Sequence, residues 1–155
     1  MLKWLWLSLL VIILDQISKQ VVSDLMHLYE SVTVLPFFNI TLLHNTGAAF
    51  SFLAGAGGWQ RWLFTVIALV VSVALIVWIK RLPTTEKWQA AALSLILGGA
   101  LGNVVDRLRF GYVVDFLDVY YQQWHWPAFN VADSAITVGV AILLLATLRE
   151  RKHPA

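Results

Sequence analysis

Four long apolar stretches alternate with polar segments along the 155-residue chain. A membrane-spanning helix needs about 20 mostly apolar residues, and each stretch approaches or reaches that length. The second stretch is the cleanest, because only Thr65 and Ser72 interrupt it. The pattern therefore predicts a membrane α-helical protein with four transmembrane helices, at about 4–22, 62–79, 88–105 and 134–148.

The two longer connections, 23–60 and 107–132, follow a different pattern. Polar and apolar residues alternate over 31–35, and the segments 37–43 and 112–121 are rich in β-branched and aromatic residues. Such runs are typical of strands. We expect a small extracytoplasmic β-sheet on the outer membrane face, together with a short interfacial helix. Glycines in the 49–58 segment permit, without requiring, its motion as a lid.

Composition supports the membrane class and a single domain over residues 1–155. The chain is 59% hydrophobic and 13% charged, with a mean hydropathy of +0.74, whereas soluble domains are about 45–50% apolar and about 25% charged. The chain has no cysteine, which excludes disulfides, a cysteine nucleophile and cysteine-ligated zinc. The net charge of +2 is not a nucleic-acid footprint, since the basic residues form no cluster on a soluble face.

The basic residues indicate the orientation of the spans. Four spans place both termini and the 80–87 loop on one side, and most of the lysines and arginines lie there. The positive-inside rule makes that side cytoplasmic. Most acidic residues lie toward the other side, and the tryptophans fall near both ends of the spans, as interfacial indoles do. The inner basic residues are Lys3, Lys80, Arg81, Lys87, Arg149, Arg151 and Lys152.

The N-terminal stretch has an alternative interpretation as a secretory signal peptide, because Lys3 precedes an apolar run. A cleavage site would require small residues after the run, and residues 15–19 (DQISK) do not provide one. We therefore expect the first span to be retained.

Ionisable residues at the ends of the spans are the main functional signal, since a carboxylate at membrane depth costs about 2.5–3.5 kcal/mol. Asp15 and Lys19 are four residues apart on one helix face and can pair. A purely structural ion pair is the alternative. Asn103, Asp106 and Arg107 follow a glycine-rich run whose Gly98 and Gly102 spacing permits close helix approach. Helix packing with an outward-reaching arginine is the alternative for that group.

Three further aspartates lie in or after the second outer segment. Asp115 and Asp118 point to opposite faces if 112–121 is a strand, so only one can face a given site. The alternative for each is a solvent-facing strand carboxylate. Asp133 has a structural alternative as well, because Asn130 fits an N-cap and Asp133 the third helical position of a capping box.

Two carboxylates brought together share a proton, so that one acts as base and the other as acid. Such a pair activates water to attack a peptide carbonyl. The chain has no G-x-S-x-G or H-E-x-x-H motif, and adjacent Ser18 and Lys19 point about 100° apart on a helix. The four histidines are scattered, so we expect neither zinc nor another cofactor.

Five sequence blocks together resemble the bacterial lipoprotein signal peptidases (signal peptidase II, or prolipoprotein signal peptidase). The blocks are 15–19 (DQISK), 45–50 (NTGAAF), 98–107 (GGALGNVVDR), 111–116 (GYVVDF) and 127–134 (PAFNVADS). The resemblance covers essentially the whole chain.

The resemblance implies a four-span aspartic endopeptidase of the bacterial inner membrane, whose sheet forms a cradle. Its substrates are prolipoproteins, which it cuts just before a diacylglyceryl-modified cysteine; membrane lipids surround it, and globomycin-type peptides inhibit it. Asp115 and Asp133 are the implied catalytic pair, near the outer face, and Asp118 matches no family role. The residues implied to line or support the pocket are Asn45, Gly47, Asn103, Asp106, Arg107, Asn130, Ala132, Asp15 and Lys19.

Two alternatives remain from the residues alone, a small transporter or proton channel and a lipid-binding scaffold. A transporter would need polar residues through the membrane midplane, and the second span has almost none. We also hypothesise how the pair shares its proton. The N-terminus of a helix favours the Asp133 anion, whereas apolar neighbours favour a protonated Asp115.

Overall fold

A computed structural model describes residues 1–47 and 57–152, with side chains up to Leu148. Most of the 49–58 segment, expected as a possible lid, and part of the 45–50 motif lie outside the described residues. A 3-10 turn, Leu2–Trp4, precedes the first helix. The other elements are α1 Leu5–Leu25, β1 Ser31–Leu35, β2 Phe38–Asn45, α2 Trp59–Arg81, α3 Lys87–Arg109, β3 Val113–Tyr121, β4 Trp124–His125 and α4 Val131–Lys152.

The four predicted spans are confirmed as helices long and apolar enough to cross a membrane. Each helix extends a few residues beyond its predicted span, and α2 begins after Gly58, whose φ of +93° is available to glycine at little cost. Large apolar side chains cover the outside of the bundle, as Trp6, Val70 and Leu145 show. These surfaces suit lipid, and the protein is a multi-pass membrane protein.

Helix α3 lies at the centre of the bundle and packs against α1, α2 and α4. Over half of its span is buried inside the protein, against at most 28% in the other three. Its glycines permit this packing. A Cβ at Gly98 would lie 2.8 Å from the Ser8 carbonyl oxygen of α1, and one at Gly99 would overlap the Ala132 carbonyl of α4. The predicted small-residue contact through Gly98 is therefore confirmed, with α1 as its partner.

The outer segments form one antiparallel sheet in the order β1-β2-β3-β4. The predicted strands at 31–35, 37–43 and 112–121 are confirmed within a few residues. In the β2–β3 register, Leu43 lies opposite Asp115 and Asn39 opposite Asp118, and a bulge interrupts the pairing between Ile40 and Leu43. Outside the four long helices, the residues that the structure describes contain one helical element, the N-terminal 3-10 turn. They include no separate interfacial helix between strands and spans.

The close contact between α3 and α4 can be tested by adding one carbon. A Gly99→Ala substitution places its Cβ against the Ala132 carbonyl and 2.7 Å from Cγ1 of Ile136, so the helices must separate. We expect a loss of about 1–3 kcal/mol of stability from overpacking, despite the better intrinsic helix propensity of alanine. Thermal unfolding of the purified protein in detergent measures it.

Ala74→Val is the matched control, because Ala74 is exposed on the outer surface of α2. The control is expected to melt close to the unsubstituted protein. A Gly99→Ala variant that melts at or above the unsubstituted protein contradicts the close packing of α3 and α4.

Candidate active site

Asp115 and Asp133 line the same cavity, of about 670 Å³, at the junction of the sheet and the helix bundle. Asp115 belongs to β3 and Asp133 to the first turn of α4. Both are held by Asn130, whose Nδ2 donates to Oδ1 of Asp115 (2.7 Å) and whose backbone N–H donates to Oδ2 of Asp133 (3.3 Å). The structure thus brings together the two aspartates that the sequence singled out.

Asn130 also begins α4. Its Oδ1 accepts a hydrogen bond from the backbone N–H of Asp133 (2.9 Å). The carboxylate of Asp133 in turn accepts a hydrogen bond from the backbone N–H of Asn130. This reciprocal pair is the capping box expected from the sequence. The structural interpretation of Asp133 is therefore confirmed, and it does not compete with a chemical role. The cap fixes the carboxylate at the edge of the cavity, where the N-terminus of the helix favours its negative charge.

Two amide side chains, Asn45 and Asn130, hold Asp115. Asn45 Nδ2 donates to Oδ2 of Asp115 (3.0 Å), and its own Oδ1 accepts from the backbone N–H of Gly47 (2.9 Å), which fixes the orientation of the amide. Asp115 is only 3% exposed. Burial, followed by the nearby charge of Asp133, raises the pKa of Asp115 to about 7. The protonated and ionised forms of Asp115 are thus both accessible near neutral pH.

Asn103 connects Asp133 to a buried cation. Its Nδ2 donates to Oδ1 of Asp133 (2.8 Å), and its Oδ1 accepts from Nζ of Lys19 (3.0 Å) and from Nδ2 of Asn130 (3.2 Å). The ammonium group can only donate, so it determines which end of the Asn103 amide faces it. The other end, the NH₂ group, must then face Asp133.

Lys19 lies between two buried carboxylates. Its Nζ is 2.8 Å from Oδ2 of Asp15 and 2.9 Å from Oδ2 of Asp106, and all three side chains are at most 4% exposed. The predicted Asp15–Lys19 pair within α1 is confirmed. The second partner, Asp106 on α3, was not anticipated from the sequence as a partner of Lys19.

Each of these carboxylates also binds the backbone next to a candidate catalytic residue. Oδ1 of Asp15 accepts from the N–H of Ala132 (2.9 Å), which precedes Asp133. Oδ2 of Asp106 accepts from the N–H of Val114 (3.0 Å), which precedes Asp115. The ion-pair network therefore positions both aspartates through the main chain. Ala132 takes part in it through its backbone N–H.

Arg107 turns toward the site rather than outward to the interface, so the alternative of an outward-reaching arginine is wrong. Its guanidinium lines the cavity, donates to the carbonyl of Gly47 (3.1 Å) and lies 5.7 Å from the ring centre of Phe64. Gly47 contributes a backbone oxygen. This contact fixes the end of β2 next to Asn45.

Asp118 differs from the expectation of a solvent-facing carboxylate. It is 7% exposed and accepts hydrogen bonds from Asn39 and Thr41, both at 3.2 Å, and pairs with His125 at 2.8 Å. None of these partners holds Asp115. The two aspartates therefore have separate hydrogen-bond partners, but both line a cavity over the sheet, so the prediction that only one of them can face a given site is wrong.

Sequence reasoning missed two parts of the site. Gln16 donates from Nε2 to Asp106 (2.7 Å) and to Asp15 (3.2 Å); its only signal was its place in the polar block 15–19. An apolar wall of the cavity was also missed, since its residues resemble ordinary lipid-facing positions. That wall includes Val113, Trp126, Phe129, Ile136 and Val138. Among the residues open to description, no three histidine, aspartate or glutamate side chains group as metal ligands do.

Comparisons with known proteins indicate the family of the chain. A family model described as signal peptidase (SPase) II matches residues 7–149. The lipoprotein signal peptidase of Alteromonas mediterranea is 60% identical over 144 residues, which cover 93% of this chain and 79% of the relative. That of Pseudomonas aeruginosa is 55% identical over 153 residues, covering 97% of this chain and 90% of the relative.

Two solved structures, both described as bacterial membrane enzymes solved by the in meso method, have the same fold. One matches with a TM-score of 0.89 at 32% identity, over 99% of this chain and 92% of the other. The second has a TM-score of 0.82 at 34% identity, over 96% of this chain and 94% of the other. Because the family model and these relatives span nearly the whole sequence, the chain belongs to the signal peptidase II family of aspartic peptidases.

Proposed function

We propose that the protein removes signal peptides from diacylglyceryl-modified prolipoproteins, cutting just before the lipidated cysteine, and that Asp115 and Asp133 activate the attacking water. The observation that carries the proposal is the meeting of these two carboxylates in one cavity, bridged by Asn130, in a chain of this family. The whole chain, residues 1–155, acts as one membrane-embedded peptidase domain.

The surroundings of the two aspartates assign their roles. Asp133 accepts from Asn103 and lies at the N-terminus of α4, so it is the ionised base that takes a proton from water. Asp115, whose pKa is raised to about 7, is the acid that protonates the scissile carbonyl oxygen. Water oxygen bonds to the carbonyl carbon to form a gem-diol. Asp133 then gives the proton it took from water to the cysteine nitrogen as the C–N bond breaks. Asp115 takes a proton back from one hydroxyl of the gem-diol, which becomes the new carboxyl group.

The supporting residues act on geometry. Asn45, Asn103 and Asn130 orient the carboxylates, while Asp15, Lys19 and Asp106 hold the backbone on which they lie. Arg107 and Gly47 close one side of the cavity, and Ala132 supplies an N–H to Asp15. None of these residues is required to exchange a proton with the substrate.

The apolar wall on α4, including Ile136 and Val138, gives the signal peptide and the diacylglyceryl group a surface continuous with lipid. Positive charge at the termini and in the 80–87 loop supports cytoplasmic termini in the bacterial inner membrane, with the site near the outer face. Membrane lipids therefore border the cavity. Globomycin-type peptides would inhibit by occupying it.

Replacing either aspartate by asparagine tests the catalytic pair. Asp115→Asn and Asp133→Asn keep the shape of the side chain but remove the shared proton. We expect each to lower cleavage of a lipidated prolipoprotein by at least about 10³-fold. Purified variants in detergent, assayed by the mobility shift of the cleaved product, measure it, and thermal unfolding shows that the fold persists.

Asp24→Asn is the matched control, since Asp24 is exposed near the outer end of α1 and lies far along the chain from the pair. It is expected to keep full activity. Two folded Asn variants at 115 and 133 that cleave normally would eliminate this pair as the catalytic site, whereas an unsubstituted protein that fails to cleave would favour a lipid-binding scaffold.

The raised pKa of Asp115 predicts the pH dependence. If Asp115 is the acid, kcat/KM falls as pH rises above about 7, by up to about tenfold per unit. The groups that face Asp115 and influence this limb are Asp133 and Lys19, with hydrogen bonds from Asn45 and Asn130. Rates from pH 5.5 to 9 measure it. A limb of opposite sign, with activity lost below pH 7, would make Asp115 the base.

The raised pKa of Asp115 also makes the stability of the fold depend on pH. A carboxyl group whose folded pKa is raised contributes stability that is complete at low pH and is lost as pH rises through the folded value. The unsubstituted protein should therefore lose stability between about pH 4 and 7 relative to Asp115→Asn, which does not titrate. Unfolding of both proteins at pH 5 and pH 8 provides a readout independent of activity.

Lys19→Met tests the bracing network. The substitution leaves the buried carboxylates of Asp15 and Asp106 without their cation, which costs about 3–5 kcal/mol. We expect a lower melting temperature and reduced cleavage. Adding Asp15→Asn to Lys19→Met should recover part of the lost stability, because one uncompensated charge is removed.

Lys3→Met is the control for removing one positive charge, since Lys3 is exposed in the 3-10 turn that precedes α1. A Lys19→Met variant as stable as Lys3→Met would show that the ion pairs do not hold the helices together.

A further inference from the structure

A second cavity, of about 640 Å³, adjoins the catalytic one. The two share Asn45, Asp115, Trp126, Pro127 and Ala128 in their walls, so they meet at the candidate catalytic aspartate. A peptide that crosses Asp115 in extended form therefore passes from one cavity into the other. The first has its apolar wall on α4, whereas the second extends over the sheet.

This difference assigns a direction to the substrate and rests on the proposed function. The signal peptide and the diacylglyceryl group are held in the bilayer, beside the apolar wall. The residues that follow the lipidated cysteine leave the bilayer toward water. The cavity over the sheet has Thr41, Asp118 and His125 in its wall, and under the proposed function this segment would emerge there.

The charges of the second cavity are unbalanced. Its wall contains Asp118 and also Asp115, which is the neutral acid of the proposed mechanism, and none of the described residues that line it is a lysine or arginine. The ion-pair partners that balance Asp15 and Asp106 have no counterpart here. Asp118 receives its hydrogen bonds from the neutral side chains of Asn39 and Thr41 and from the His125 ring.

His125 is the more exposed member of the Asp118–His125 pair. Its Nδ1 is 2.8 Å from Oδ1 of Asp118, and its ring stacks on Tyr120 with 5.2 Å between ring centres. A carboxylate partner on Nδ1 selects the tautomer with the proton there, which leaves Nε2 of the neutral ring as an acceptor. The side chain is about half exposed, so this acceptor is open to a peptide N–H or an ammonium group.

We propose that Asp118 and His125 form a specificity-determining subsite for the polypeptide that follows the lipidated cysteine, favouring a basic side chain there and disfavouring an acidic one. Asp118 supplies the negative charge and fixes the orientation of His125. His125 supplies the hydrogen-bond acceptor. An acidic substrate side chain would meet the like charge of Asp118, and the described lining residues include no lysine or arginine to offset it.

Three matched substrates test the subsite with the full-length protein in detergent. They are diacylglyceryl-modified prolipoproteins with Lys, Gln or Glu at the second residue after the cysteine. The unsubstituted enzyme should cleave the Lys substrate with a kcat/KM roughly three- to tenfold above that for Glu, with Gln between. Asp118→Asn should bring the three values together while the Gln substrate is still cleaved.

Two further variants make the result specific. His125→Gln, at a half-exposed position with little risk to folding, should raise KM for all three substrates more than it changes kcat. Asp24→Asn removes the same charge outside the cavity and should preserve the Lys preference. A Lys-to-Glu ratio near one in the unsubstituted enzyme, or a ratio unchanged in Asp118→Asn, overturns the subsite alone. Failure to cleave any of the three overturns the proposed function with it.

Discussion

The structure depends on one buried cation, the Lys19 ammonium, which lies between carboxylates on two different helices. A buried ion pair rarely adds net stability, since desolvation offsets the attraction, but it tolerates few alternative arrangements. Here it fixes α1 against α3 at one depth and one rotation. Oδ1 of Asp15 then fixes the backbone of α4, and Oδ2 of Asp106, the same oxygen that binds Lys19, fixes the backbone of β3. The network therefore transmits the position of Lys19 to both members of the candidate dyad.

The glycines of α3 make this arrangement sterically possible. A Cβ at Gly102 would lie 2.7 Å from Oδ2 of Asp15, so a larger residue would displace the carboxylate that Lys19 binds. The small size of these glycines is therefore required both for the position of the buried charges and for the close packing of the helices. The cost of burying the charges is met by packing elsewhere in the bundle, where Leu75, Ile79, Leu93 and Leu97 form an apolar cluster.

Sequence alone could predict the features that depend on local pattern. Hydropathy predicted the spans, alternation predicted the strands, and the four-residue spacing predicted the Asp15–Lys19 pair. Contacts between elements distant in the chain have no such period. Asp106 pairs with Lys19, and Gln16 with Asp106, only because α1 and α3 pack at one register. Asp118 was mistaken for a solvent-facing residue because its partners come from β2 and from the end of β4, whose alignment the pattern does not fix.

The depth of the chemistry follows from the topology. Asp133 lies in the first turn of α4 and Asp115 on a strand, and an exposed strand edge is not tolerated within the hydrocarbon because its backbone groups would lack partners. A dyad with one member from a helix start and one from a sheet can therefore form only where the spans end. At that depth, the proposed site would have water on one side and lipid against its α4 wall. The division between an apolar cavity and one over the sheet follows from this boundary, so the proposed substrate direction and the proposed depth of the reaction would have the same physical origin.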